Sequence, residues 1–293
     1  MDPSPVSTAP RKRPERPLVE KFAFVLGRIR AIGLEVHPTS RLAIERNLFF
    51  DDQGRPLVIE PAHPQFDQAL EALRDFTLFE FIMDNWPFEP ADKEASRRLK
   101  EALKDAVDPH AARFRTPGRD SQLELFVAAA LKRAGLPVKL RSPDVRTRID
   151  GRGFDVEAKR PKSGDAIEEA VRVGAGQIRD SGCPGALFID VTRAFNPTKG
   201  LVTRIMPDEE FSQRHAEALR GGIKTLERRL IHLLERKPVA CVFFQDHELR
   251  QVSGGWILGS ICMKFDNPSA PEWLARMGRL VDRSLGHAWT GVS

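Results

Sequence analysis

The stretch RSPDVRTRIDGRGFDVEAKRP, residues 141–161, gathers acids and bases around a glycine turn in a pattern that chemistry can use. Strand alternation sends Val145, Thr147 and Ile149 to one side and Asp144, Arg146 and Arg148 to the other. On the returning run Phe154, Val156 and Ala158 are apolar, while Asp155, Glu157 and Lys159 share the charged side. The turn decides which charges meet. A Gly151-Arg152 loop sets Arg148 against Asp155, Arg146 against Glu157 and Asp144 against Lys159, so every acid has a base. An Asp150-Gly151 loop sets Asp144 directly against Glu157 instead. Asp-Gly suits a type I′ turn, the better hairpin signal. Facing carboxylates repel unless a cation or a proton lies between them. Both registers keep the apolar side intact, so hydrophobicity does not choose between them.

Two further polar residues stand in apolar settings. Glu124 lies in LELFVAAAL, with Val127, Ala128 and Leu131 as helical neighbours that offer it no partner. A carboxylate held there is costly unless paired, hydrogen-bonded or metal-bound. Gln177 shares a helical stripe with Ala170, Val173 and Gly174, and its amide needs a partner if it points inward.

The elements that must position these residues follow from periodicity. Residues 1–17 are proline-rich and basic and read as a disordered arm. Residues 18–110 read as mostly helical, with Leu18, Phe22, Val25 and Ile29 on one stripe and Phe66, Leu70, Leu73 and Phe76 on another. Between those stripes, DDQGRP predicts a turn, with a hairpin around it. A further helix is expected in ADKEASRRLKEALKDAV. DPHAARFRTPGRD is the boundary, rich in Pro, Gly and Arg. Beyond it, residues 119–195 read helix, three strands, helix, strand, with Asp165 and Glu168 placed for a capping box. A long helix follows over residues 207–236 with the seam Leu219, Ile223, Leu226, Leu230 and Leu233. PVACVFFQ and GWILGSICMKF read as strands, and APEWLARMGRLVDRSL as a last helix.

With Pro143-Asp144 on one strand and Glu157-Ala158-Lys159 on the next, the chain resembles the PD-(D/E)XK phosphodiesterases, the restriction-endonuclease-like superfamily. The preceding helical acid Glu124, the following helical Gln177 and the element order extend the resemblance over residues 119–195. It implies an α/β fold, with a restriction-endonuclease-like core of helix, three strands, helix and strand in a domain over residues 115–293. The helical region precedes it. The resemblance also implies a metal-dependent nuclease, acting on DNA more than RNA because most relatives do, in defence, repair or recombination. Asp144, Glu157, the carbonyl of Ala158 and Glu124 would hold Mg²⁺ or Mn²⁺; Lys159 would orient the attacking water or neutralise the phosphate, and Gln177 would position either. Asp150 and Asp155 lie on the same charged side and compete with Asp144 for that role. Arg160 and Lys162 make a basic exit suited to phosphate. Enzymes of this kind often dimerise, so the resemblance allows a homodimer, although no interface is legible in the sequence. The alternative is a nuclease-fold module without catalysis that binds nucleic acid or a protein partner.

Composition bounds these expectations. The chain has 293 residues, 41% hydrophobic and 30% charged, a globular balance with ample material for a core. The net charge of +5 permits an anionic partner without demanding one. Arg220, Lys224 and Arg228 on the long helix and RKRPER in the arm extend a basic surface or simply keep it solvated. Cys183, Cys241 and Cys262 form no CxxC pair, which argues for a reducing compartment and against a zinc ribbon. No apolar run reaches the length of a membrane span and no signal core opens the chain, so a cytoplasmic location is expected. The seven histidines show no metal-ligand spacing on one helix. VGAGQIRDSG lacks the third glycine of a dinucleotide loop, and no Walker loop or Gly-x-Ser-x-Gly elbow is present.

Overall fold

In the computed structural model the described residues are 16–57, 60–89, 92–105, 116–141, 144–196, 202–252 and 255–289. Most of the basic arm, part of the expected boundary at residues 108–120, and Pro143 lie outside them. The chain divides into two compact units, residues 13–129 and residues 130–293. The dividing point falls inside a helix. The structure is α/β: a helical N-terminal region, then a mixed seven-stranded sheet flanked by helices.

The first unit contains α1 (Leu18–Ala31), α2 (Arg41–Asn47), α3 (Phe66–Asp84), α4 (Lys93–Ala102) and most of α5 (Pro117–Arg133). Side-chain caps start two of them: Ser40 accepts from the Ala43 amide and Asp92 from the Ala95 amide. The apolar stripes of α1 and α3 meet, with the Phe22 ring among Phe49, Phe50 and Phe76. The expected hairpin around DDQGRP is a turn closed by a single bridge, Phe50 to Pro56. Asp51 takes over the role of a second strand by accepting from the Gln53 and Arg55 amides. Helix α3 is buried nearly all round, including Glu71, Arg74 and Asp75, not only along its Phe and Leu stripe.

The second unit carries the sheet: β1 (Val138–Leu140), β2 (Val145–Ile149), β3 (Arg152–Lys159), α6 (Gly164–Asp180), β4 (Gly185–Asp190), β5 (Val202–Arg204), α7 (Asp208–Leu234), β6 (Val239–Val252), β7 (Gly255–Asp266) and α8 (Glu272–Trp289). Strands β1, β2 and β3 are antiparallel neighbours. Strands β3, β4 and β6 then run parallel, as a connection through helices requires. One edge of the long β6 takes first β4 and further along β5, while β7 pairs antiparallel along its other edge. Helices α6 and α7 cover one face, burying Ile167, Val171, Leu219, Ile223 and Leu230 against Leu187, Ile189, Val242 and Phe244. On the opposite face Lys264, cross-strand partner of Phe243, reaches Asp282 of α8 at 3.2 Å.

Helix α6 begins without the expected capping box. Its N-cap is Ser163, which makes no side-chain cap bond, and Asp165 already lies inside the first turn. Asp165 still contributes there through its charge, near the positive end of the helix dipole. Gly185 opens β4 where a Cβ would stand 2.3 Å from the Asp155 carbonyl oxygen, so only glycine permits β3 and β4 to meet there.

Candidate active site

The β2–β3 hairpin adopts the Asp-Gly register. Arg146 faces Asp155, Val145 faces Val156 and Ile149 faces Arg152, which leaves Asp150 and Gly151 as the loop. Both have positive φ, 50° and 76°, as a type I′ turn demands. Asp144 therefore stands at the position across from Glu157. The Asp144 amide donates to Glu157 Oε2 at 3.2 Å, and the Ala158 amide donates to Asp144 Oδ2 at 2.9 Å. These reciprocal bonds hold the Asp144 carboxylate against the strand that carries Glu157.

Glu157 is fully buried, yet it sits on the charged side of the hairpin. Helix α6 covers that side. A Cβ on Gly174 would lie 3.3 Å from Glu157 Cγ and 2.7 Å from Leu187 Cδ2, so glycine lets the helix lie directly over the carboxylate. Burial pushes the Glu157 carboxyl up to about 7, and the neighbouring Asp144 charge adds to the rise. The Lys159 ammonium, in contact with Glu157 Oε1, opposes it.

The other acids of the hairpin are committed elsewhere. Asp155 accepts both Arg146 Nε and Nη2, at 2.5 and 2.6 Å, and the Ser181 hydroxyl at 2.6 Å. Its carboxylate holds the guanidinium of Arg146 above the usual arginine range. Asp150 lies at the exposed turn, 3.7 Å from Arg276. Of the three acids weighed against one another, Asp144 is thus the one opposite Glu157.

Gln177 lies one helical turn after Gly174 on α6, and its Oε1 is buried without a hydrogen-bond partner. Arg160, the residue after β3, donates from Nε to Asp190 Oδ2 at 2.8 Å. Asp190 in turn accepts the Thr192 amide and hydroxyl through Oδ1. Arg160 is therefore anchored to the end of β4, whereas Lys162 is half-buried in the segment before α6. Glu124, expected to lack a partner, is paired with Arg98 of α4 within the first unit. That partner lies outside the α5 neighbours from which its isolation was inferred. On α7, Lys224 and Arg228 are exposed and Arg220 half-buried, on the side away from the apolar seam.

Sequence reasoning missed a second polar cluster. His215 of α7 and Asp246 and Glu248 of β6 are buried together with one potential ligand atom each, all within 4.8 Å of one another. The signal available in the sequence was the alternation Phe244, Asp246, Glu248, which continues an apolar strand side with acids.

Comparison with family models, with curated proteins and with solved structures finds no match to this chain. No helix among the described residues is long and apolar enough to cross a membrane.

Proposed function

We propose that this chain is a metal-dependent nuclease with a restriction-endonuclease-like core, hydrolysing phosphodiester bonds of nucleic acid, DNA foremost. The observation that carries the proposal is the placement of Asp144 across from the buried Glu157, with Lys159 against the same carboxylate. The order α5, β1, β2, β3, α6, β4 supports it.

The residues present fit a hard divalent cation. Asp144 and Glu157 offer oxygen donors, and the buried, unpartnered Gln177 Oε1 offers an acceptor for a coordinated water. Asp144, Glu157 and the Ala158 carbonyl would hold Mg²⁺ or Mn²⁺. Once bound, the ion supplies Lewis acidity and an activated water. Glu157 must lose its proton to serve, and burial beneath α6 makes that loss unfavourable until a cation compensates it. Lys159 already lies against Glu157, so a small swing of its flexible stem would bring the ammonium to a phosphate oxygen or the water. Lys162 would contact the backbone beside the scissile phosphate, with Arg160 contributing only through donors not spent on Asp190.

One observation favours a second reading, a binding module without catalysis. Lys159 on Glu157 and Arg146 on Asp155 already satisfy both buried acids of β3 internally. The deciding experiment incubates the purified full-length chain with plasmid and linear DNA in Mg²⁺ or Mn²⁺, beside a Glu157→Ala/Lys159→Ala variant. Cleavage by the first and not the second is expected. Equal cleavage by both would overturn the site assignment, and DNA retention without cleavage by either would favour the binding module.

A further inference from the structure

We propose that His215, Asp246 and Glu248 form a binding site for a divalent transition-metal ion, separate from the hairpin carboxylates. Val242, Phe244, Asp246 and Glu248 are alternate residues of β6, so one side of the strand changes from apolar to acidic beneath α7. The first turns of α7 lie close over this end of the β6–β7 hairpin: a Cβ on Gly259 would stand 2.4 Å from the Phe211 ring. Phe211 is followed one turn later by His215, whose side chain is wholly buried. Helix and hairpin together bring an imidazole nitrogen and two carboxylates to one point.

His215 Nε2 lies 3.2 Å from Asp246 Oδ2. Two donors bound to one metal at about 2.0–2.1 Å in tetrahedral geometry stand about 3.3 Å apart, so this spacing suits coordination with little movement. His215 Nδ1 is buried with no hydrogen-bond partner, so the ring is held only through the Nε2 contact with Asp246. Asp246 Oδ1 accepts the His247 amide at 2.9 Å, which leaves Oδ2 as the atom directed at the cluster. Glu248 accepts Arg204 Nε and Nη2 at 2.6 and 2.8 Å. A carboxylate has lone pairs enough to keep that fork and bind a metal, with Arg204 then acting as the outer partner that fixes its orientation. Imidazole with carboxylates suits Mn²⁺, Fe²⁺ or Zn²⁺, whereas Mg²⁺ and Ca²⁺ favour all-oxygen sets such as the one at Asp144 and Glu157. The ion would join α7 to β6 and stabilise the long hairpin.

The test uses the full-length protein after dialysis against a chelator. Zn²⁺, Mn²⁺ and Co²⁺ are returned singly; bound metal is counted, Tm recorded and the visible Co²⁺ spectrum measured. The wild type is expected to take up a transition metal at this site, with a rise in Tm and a ligand-field spectrum. Glu157→Ala should keep that uptake, which separates this site from the hairpin and makes the result independent of the nuclease proposal. His215→Ala should weaken it by at least about tenfold, because even changes outside the ligand set cost about 10–100-fold. Asp246→Asn preserves shape and guards against a folding defect, and circular dichroism checks both variants; it too should weaken uptake. Equal affinity in wild type and in folded His215→Ala or Asp246→Asn, or no uptake by the wild type, would overturn the proposal and leave a His215–Asp246 hydrogen bond only.

Discussion

Asp144 and Glu157 clasp each other across the β2–β3 hairpin: the amide of Asp144 bonds the Glu157 carboxylate, and the carboxylate of Asp144 bonds the amide that follows Glu157. The same Asp-Gly turn that creates this pair also delivers Arg146 to Asp155. One hairpin register thus neutralises one acid of β3 with a guanidinium. It leaves the other facing a second acid, with only a flexible lysine against it. That asymmetry underlies the proposed site.

The first consequence is a stability slope with pH. Glu157 is held near 7 in the folded chain, against an ordinary value of 4.5. Below 4.5 both folded and unfolded chains hold the proton, so the contribution is fully present. Between 4.5 and about 7 the unfolded chain ionises while the folded one does not, and stability falls. The gap corresponds to about 3 kcal/mol, reduced in practice by relaxation around Lys159. Glu157→Gln should therefore be more stable than the wild type by about 1–2 kcal/mol at pH 8 in chelator, with little difference at pH 4.5. Urea denaturation across that range measures it. A wild-type slope matched by Glu157→Gln would refute the assignment of the slope to this carboxyl.

A second consequence concerns the metal of the proposed nuclease. While Glu157 is protonated, each Mg²⁺ that binds must displace a proton. Affinity should rise by about tenfold per pH unit up to about 7 and then level off. Titration calorimetry from pH 5.5 to 8 reads this directly. An affinity that is flat over the whole range would show that Glu157 is not a ligand.

Legibility in the sequence followed the range of the interactions. Of the two registers the sequence left open, the one adopted was favoured by the Asp-Gly signal because that turn is a local choice of φ, and the order of elements over residues 119–195 was readable because periodicity is local too. The three-residue β5 was not read, since its pairing with β6 is supplied from a distance. The polar second half of β6, QDHELRQV, does not look like a core strand, yet α7 and β5 bury much of it. His215 carried no signal because its partner Asp246 lies 31 residues away, across a helix and a turn. In the first unit, Arg74 and Asp75 interrupt the apolar pattern of α3, yet both are fully buried.

The choice among hairpin acids is testable by comparing Asp144 with Asp155. Asp144→Asn should abolish Mg²⁺-dependent cleavage with little effect on folding. Asp155 belongs to a buried ion pair, so Arg146→Ala should cost about 2–3 kcal/mol by stranding its charge. Asp155→Asn added to Arg146→Ala should restore part of that loss. Thermal melts of the single and double variants, with cleavage assays of the folded ones, separate the two roles. Loss of cleavage in a stable Asp155→Asn protein, with activity retained in Asp144→Asn, would reverse the assignment.

The last prediction lies in the helical unit. Asp75 Oδ2 meets Arg41 Nη1 and, at 3.1 Å, Arg119 Nη2, with all three side chains buried. Arg41 also donates to the Ala102 carbonyl at 2.7 Å and Gln122 Oε1 at 3.1 Å, and Gln122 donates to the Asp75 carbonyl at 3.2 Å. The network ties α2, α3 and α5 together. Nearby, Glu45 is wholly buried, and desolvation, with the Asp75 charge beside it, pushes its carboxyl well above the usual range. Removing the Asp75 carboxylate would leave three guanidinium groups, those of Arg41, Arg74 and Arg119, crowded together out of water. Asp75→Ala should destabilise the chain by about 3–5 kcal/mol. Glu94→Ala, which breaks the exposed pair to Arg97 and the part-buried one to Arg98, should cost under about 1 kcal/mol despite similarly short bonds, since Arg98 keeps Glu124. Chemical denaturation of the two variants side by side checks the contrast. Equal losses would mean that burial does not set the strength of these pairs.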